Sequence, residues 1–129
     1  NKDGIQFTWF TGGNNGGIYY CNSNNEGKTF STRQQVSGIA SRHCQIASVN
    51  NDIAIVWNEN FINGNTSCSR IGMEIRKADG NNPVKKYITS EAGNATFPVI
   101  KSIDKNSALV AYTETLNNRD FVKYKIVDL

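Results

Sequence analysis

The chain has 129 residues, of which 38% are hydrophobic, and its 14 basic and 11 acidic side chains leave a net charge of +3. That length suits one ordinary domain with a buried core, and the composition excludes an intrinsically disordered chain. The longest run of basic residues is Lys85-Lys86, so the charge pattern gives no indication of nucleic-acid binding. No apolar run approaches the ~20 residues of a membrane-spanning helix, so no membrane span is expected.

The cysteines do not form a metal-binding or disulfide pattern. Cys21, Cys44 and Cys68 are an odd set without C-x-x-C spacing, so at least one has no partner within the chain. We interpret all three as small buried apolar side chains and expect neither a metal site nor a cofactor.

Short apolar runs separated by turns rich in Asn and Gly predict an all-β chain. In chain order, three strands are predicted within residues 5–36, four within 44–89 and three within 96–127. Tight turns at 50–52 and 104–106 connect the first two strands of the second and third groups. A β-sandwich of two sheets is a competing interpretation, since strands at this spacing also fit it.

A repeat favours a different architecture. The segments QFTWFTGGNNGG, AIVWNENFINGN and LVAYTETLNNRD place Trp9, Trp57 and Tyr112 at the same position, and each leads through a polar stretch into another strand. The successive offsets are 48 and 55 residues, slightly above the roughly 40–50 residues of a four-stranded propeller blade. The pattern therefore predicts a single partial β-propeller over residues 1–129, with about two and a half four-stranded antiparallel blades.

The stretch SNNEGKTF, residues 23–30, connects the second and third predicted strands. Ser23 and Asn25 offer side-chain oxygens to the N–H groups of the turn, Gly27 can take the left-handed conformation, and Thr29 and Phe30 begin the next strand. This pattern resembles the Asp-box, or BNR repeat, of sialidase-like β-propellers, with Asn25 in place of the usual Asp and Phe30 in place of the usual Trp. An ordinary hairpin with matching Ser and Thr residues is the alternative.

The resemblance implies an architecture. Phe30 is expected to fold under the hairpin and plug it, so that Phe30→Ala should cost on the order of 3 kcal/mol. The chain is expected to be the C-terminal part of a longer, secreted or cell-surface protein, with a periplasmic location as a variant. Its partners would be the remaining blades of the parent chain, or copies of itself that close the ring.

Antiparallel connections alternate between the two ends of a sheet, so one end should gather the stretches 11–17, 37–43, 58–69, 90–96 and 114–120. Long polar loops on a rigid scaffold are where binding usually occurs. The candidate ligand residues on this face are Arg42, His43, Glu59, Asn94, Glu114 and Arg119.

These residues admit more than one interpretation. Arg42 and His43 would suit an anionic or hydroxylated ligand, or else a salt bridge and a capped loop. Glu59 and Glu114 occupy equivalent positions after Trp57 and Tyr112. Paired carboxylates are used in glycoside hydrolysis, but simple duplication also explains the equivalence.

The resemblance does not assign an activity. Sialidases of the family use an arginine triad, a Tyr and Glu nucleophile pair and an Asp acid/base. The arginine-bearing motif does not occur in these residues, and Tyr112 and Glu114 share one strand, so no catalytic residue is assigned. The leading hypothesis is a fragment of a sialidase-like propeller that recognises glycan or protein and is not catalytic alone. The alternatives are part of an exo-sialidase or related glycosidase, and a short lectin that oligomerises into a closed propeller.

Overall fold

The computed structural model describes residues 4–129, and all of the regular secondary structure in that range is β-strand. This confirms the all-β prediction. The described part of the chain contains no helix that is long and apolar enough to cross a membrane. The strands are β1 (Ile5–Thr11), β2 (Gly17–Ser23), β3 (Gln34–Ser37), β4 (Ser41–Val49), β5 (Asp52–Asn63), β6 (Thr66–Arg76), β7 (Val84–Tyr87), β8 (Ala95–Ser102), β9 (Ser107–Leu116) and β10 (Arg119–Asp128).

The strands form three antiparallel sheets in chain order. The first sheet is β1-β2-β3, the middle sheet is β4-β5-β6-β7 and the third is β8-β9-β10. Within each sheet every strand pairs with its neighbour in sequence, whereas β3 and β4, and β7 and β8, belong to different sheets. The grouping of three, four and three strands is the one expected from the repeat, and the described sheets do not close into a ring.

The middle sheet is buried on both faces. Its strand β5 is buried without interruption from Ile53 to Asn58, as expected for a strand that is covered on two sides. Alternate residues then serve two separate cores. Ile55 and Trp57 pack with Ile18 of the first sheet, whereas Val56 packs with Val110 of the third sheet. The protein therefore has three stacked layers, whereas the competing two-sheet sandwich has one core between two layers.

The repeated aromatic residues occupy equivalent positions in the sheets but different surroundings. Trp57 is fully buried and lies opposite Gly72, where a Cβ atom would come within 2.5 Å of the indole ring. Tyr112 is also buried and lies opposite Lys123. Burial raises the pKa of Tyr112, and the nearby negative charge of Glu114 raises it further. Trp9, on the open first sheet, is only half-buried.

Two of the predicted loops are strands. Residues 58–69 and 114–120 were expected to be polar loops, but β5 and β6 continue to a two-residue turn at Gly64-Asn65. Likewise β9 and β10 continue to Asn117-Asn118, whose φ values of +52° and +62° match a type I′ hairpin turn. The polar residues in these stretches lie on extended strands, and only Gly64-Asn65 and Asn117-Asn118 form the turns.

Candidate functional site

The hairpin between β2 and β3 is organised by the buried hydroxyl of Ser23. Its Oγ accepts hydrogen bonds from the backbone N–H groups of Gly27 at 2.9 Å and of Asn25 at 3.4 Å. The same hydroxyl donates to Oδ1 of Asn25 at 2.9 Å. Gly27 has a φ of +83°, the left-handed conformation that glycine adopts without strain. The turn therefore uses Ser23 and Gly27 in the roles predicted from the sequence.

Asn25 accounts for the other half of this hairpin. Its Oδ1 accepts a hydrogen bond from the Thr29 backbone N–H at 2.9 Å, as a carboxylate oxygen would. Its Nδ2 donates to Oγ1 of Thr29 at 2.7 Å. The amide thus satisfies the turn and adds a donor that a carboxylate does not have.

Phe30 does not form the buried plug that was expected. Its ring meets the ring of Phe7 edge-on at 5.6 Å, but the residue is 45% exposed. The next strand begins only at Gln34, so Phe30 lies in the connection before β3 and not on a strand. A half-exposed phenylalanine forfeits less on truncation than a buried one, and the expected cost of Phe30→Ala falls to about 1–2 kcal/mol.

At the opposite end of the sheets, the connections that were predicted to share one face contact each other. The Asn60 N–H donates to the Ala40 carbonyl at 3.0 Å, and at the equivalent place in the third sheet the Thr115 N–H donates to the Asn94 carbonyl at 3.0 Å. Asn63 also donates to the carbonyl of Glu91. The backbone of Asn94 therefore has a structural role, while the residue remains exposed.

Glu59 belongs to an ion-pair cluster. It lies opposite Arg70 on β6, and a guanidinium nitrogen approaches its carboxylate at 2.8 Å. The same guanidinium lies 3.6 Å from the centre of the Tyr87 ring and 3.2 Å from Glu91. Desolvation works to lower the pKa of Arg70, but the hydrogen bond and charge of Glu59 raise it overall. The cluster thus fixes the edge of the middle sheet.

Glu114 has a cation beside it as well. Nζ of Lys123 lies 3.2 Å from its carboxylate. Both predicted carboxylates are thus compensated by a cation on the neighbouring strand, Arg70 or Lys123. This geometry favours a structural role for Glu59 and Glu114.

The two predicted arginines are used differently. Nη1 of Arg42 donates to the carbonyls of Ile39 at 2.6 Å and Ser41 at 3.0 Å, so this side chain caps the turn before β4. This is the capped loop that was the alternative to ligand binding. Arg119 begins β10 next to the Asn117-Asn118 turn and is exposed.

His43 lies at an irregularity of β4. The pairing of β4 with β5 shifts between Arg42 and Gln45, and His43 has a φ of +54°. Nδ1 of His43 is 2.8 Å from Oδ1 of Asn58, a side chain that is only 3% exposed. Since a carbonyl oxygen only accepts, this contact places a proton on Nδ1.

A second irregularity in the third sheet mirrors the first. The pairing of β8 with β9 shifts between Thr96 and Val99, and Phe97 has a φ of +52°. Its N–H donates to the same Asn58 Oδ1 at 3.3 Å. The rings of His43 and Phe97 lie 4.5 Å apart.

The ring of Phe10, from β1, lies 5.5 Å from His43. The predicted site residues do not include Asn58, Phe97 or Phe10. Glu59 pairs with Ser41, and the equivalent Glu114 pairs with Ala95. An alignment of Ser41 with Ala95 would therefore have matched His43 with Phe97, two residues further along.

The cysteines and potential metal ligands lie apart. None of the three cysteines is cross-linked; Cys68 is buried and the other two are half-buried. Burial raises the pKa of the Cys44 thiol. Within residues 4–129 no three side chains of His, Cys, Asp or Glu come together as a metal site would require.

Comparison with protein-family models gives no match to the chain, and neither curated proteins nor solved structures provide a matching relative. Functional assignment therefore depends on the residues and contacts of this chain.

Proposed function

We propose that this chain is part of a sialidase-like Asp-box β-propeller that recognises a glycan or protein ligand through the end of its sheets that carries His43. The observation that carries the proposal is the hydrogen-bond network of Ser23, Asn25 and Thr29 in the hairpin between β2 and β3. It places Ser23, Gly27 and Thr29 at the offsets of the Asp-box, with Asn25 in place of the usual Asp. From the same resemblance we propose a secreted or cell-surface location, with a periplasmic location as a variant.

The sheet arrangement supports the proposal. Propeller blades are four-stranded antiparallel sheets that stack face to face, and here three sheets of three, four and three strands are stacked in chain order. In these terms the first sheet would lack its innermost strand and the third its outermost. The two and a half blades expected from the sequence correspond to this arrangement.

The outer faces support further partners. The middle sheet is covered on both sides, whereas β1 of the first sheet exposes Phe7 and β10 of the third exposes Val122 and Tyr124. Apolar patches of this kind mark contact surfaces. We propose that further blades of a parent chain cover them; copies of this chain are the alternative.

The chain is proposed to bind and not to catalyse on its own. Glu59 and Glu114, the acidic pair of the predicted face, are engaged with Arg70 and Lys123. In the enzyme alternative, the parent is an exo-sialidase or related glycosidase whose catalytic groups lie in other blades. No metal or cofactor is part of either proposal.

The first experiment is the intact mass of the native polypeptide together with light scattering on the same sample. A mass several times the 14.3 kDa of this chain is the expected result. If the native chain has a mass of 14.3 kDa and assembles into a closed ring, the oligomeric lectin becomes the favoured hypothesis and the fragment hypothesis is rejected. A native monomer of this size would contradict both forms of the proposal.

Binding and turnover are then measured on the same material. We expect this chain to bind to a glycan on an array or to a protein ligand. We do not expect it to hydrolyse a fluorogenic sialoside. Hydrolysis by the full polypeptide that is lost on replacing its arginines would establish the enzyme alternative.

A further inference from the structure

Phe10, His43 and Phe97, which we call the aromatic platform, come from three different sheets. Phe10 lies on β1, His43 on β4 and Phe97 on β8. The imidazole is within 4.5 Å of the Phe97 ring and 5.5 Å of the Phe10 ring, measured between ring centres. Phe10 is nevertheless 43% exposed and Phe97 59% exposed. The three layers of the molecule therefore present their rings to solvent at a single place.

The platform is held by unusual backbone geometry. His43 and Phe97 both adopt positive φ values, which non-glycine residues rarely do, and each occupies the shifted register of its strand. Such strain persists only where the surrounding structure enforces it, and it is concentrated at functional positions. Here the buried amide oxygen of Asn58 contacts Nδ1 of His43 and accepts from the Phe97 N–H. One buried side chain thus fixes both bulges.

Beside these rings is an open hollow of about 300 Å³, at the lower end of the volumes of small-molecule sites. Its other lining residues are Cys44, Gln45, Pro98 and Val99, so among the residues that the structure describes no carboxylate, lysine or arginine lines it. The nearby Arg42 guanidinium is engaged by the carbonyls of Ile39 and Ser41. Within residues 4–129, the hollow thus offers no lysine or arginine to the carboxylate of an acidic sugar and no carboxylate to a cationic ligand.

We propose that the aromatic platform binds the apolar face of an uncharged pyranose ring in a glycan. The ring would lie against Phe97 and Phe10, and its hydroxyl groups would meet Nε2 of His43 and the side-chain amide of Gln45. A pyranose has an apolar C–H face and a polar rim, which matches exposed aromatic rings bordered by two hydrogen-bonding groups. An apolar peptide side chain would instead favour an enclosed pocket. This inference rests on the proposed function and narrows its ligand to a neutral sugar.

The test is saturation-transfer NMR with the native polypeptide. The probes are the methyl glycosides of galactose, glucose, mannose and N-acetylglucosamine, the methyl glycoside of sialic acid, and a blocked Leu-Phe-Leu peptide. We expect saturation of the ring protons of at least one neutral glycoside, with weaker signals for the sialoside and the peptide. Equal or stronger binding of the sialoside or the peptide would overturn the inference.

Variants assign the signal to the platform. Phe97→Leu keeps an apolar side chain but removes the ring, and we expect it to weaken the bound glycoside about tenfold, as for truncation of a central aromatic contact. Phe121→Ala is the control, because Phe121 is also a partly exposed phenylalanine but lies on β10, outside the platform. Circular dichroism checks that each variant is folded. If Phe97→Leu does not fold, Phe10→Leu replaces it as the variant that removes a ring of the platform.

The outcomes separate the two proposals. Glycan binding that Phe97→Leu and Phe10→Leu leave unchanged would overturn the platform as the site while leaving the proposed function intact. Saturation of none of the glycosides would also overturn the platform. Failure of the propeller itself would appear instead in the mass and assembly of the native polypeptide.

Discussion

At the scale of single residues, Ser23 shows how one buried hydroxyl can define a turn. Its Oγ serves two backbone N–H groups and the Asn25 side chain, so its removal leaves the Gly27 N–H without its acceptor. The roles of Ser23, Asn25 and Gly27 could be predicted because they depend on offsets within eight residues. The exposure of Phe30 could not, since it depends on Phe7 from a different strand and on the late start of β3.

We predict that Ser23→Ala costs about 1–2 kcal/mol in the free energy of unfolding, because the half-buried Gly27 N–H loses its acceptor. Urea unfolding followed by tryptophan fluorescence measures it. The control is Ser90→Ala, which alters an exposed serine and should stay within about 0.5 kcal/mol of the parent protein. A Ser23→Ala variant as stable as this control would mean that the hydrogen-bond network does not support the hairpin.

At the scale of elements, β5 and β6 form the centre of the molecule. Their pairing extends from Ile53↔Arg76 to Asn63↔Thr66, well beyond the strands expected from the sequence. The apolar run of β5 made its burial predictable. The extension into residues 58–69 was not, because this stretch is rich in Asn and Ser, which are typical turn residues, and Asn is depleted in strands.

Gly72 provides the test at this scale. A Cβ atom at this position would lie 2.5–2.7 Å from three atoms of the Trp57 indole ring. Because the indole is fully buried and has little room to move, we expect Gly72→Ala to cost about 1–3 kcal/mol. Thermal and urea unfolding measure the loss.

Gly12→Ala is the matched control for this substitution, since a Cβ atom there meets nothing within 4 Å. It should leave stability nearly unchanged. Equal effects of the two substitutions would mean that the contact between Gly72 and Trp57 is not a constraint on the middle sheet.

At the scale of the whole molecule, burial is unevenly distributed over the three layers. The middle sheet contributes to both cores, whereas β10 is exposed over most of its length. Local opening is easiest where few apolar groups are buried and backbone groups are open to water. We therefore expect the middle sheet to resist local opening most and the outer strands to open most easily.

We predict that hydrogen exchange of this chain, followed by mass spectrometry of peptides, is slowest in β5 and β6 and much faster in β10 and β1. In the native polypeptide, additional blades would protect β10 and β1, so their exchange should slow while that of β5 changes little. Uniform exchange over all ten strands would contradict the layered distribution of stability.

The sequence by itself determined the all-β class, the ten strands in groups of three, four and three, and the chemistry of the Ser23–Asn25 turn. These follow from periodicity and turn residues, which act over short distances along the chain. Only the tertiary structure decided that Glu59 and Glu114 form ion pairs and that Phe30 is half-exposed. It also decided that the ring of His43 contacts the rings of Phe10 and Phe97. Those outcomes depend on the registers and bulges of strands distant in sequence, and on how three sheets stack.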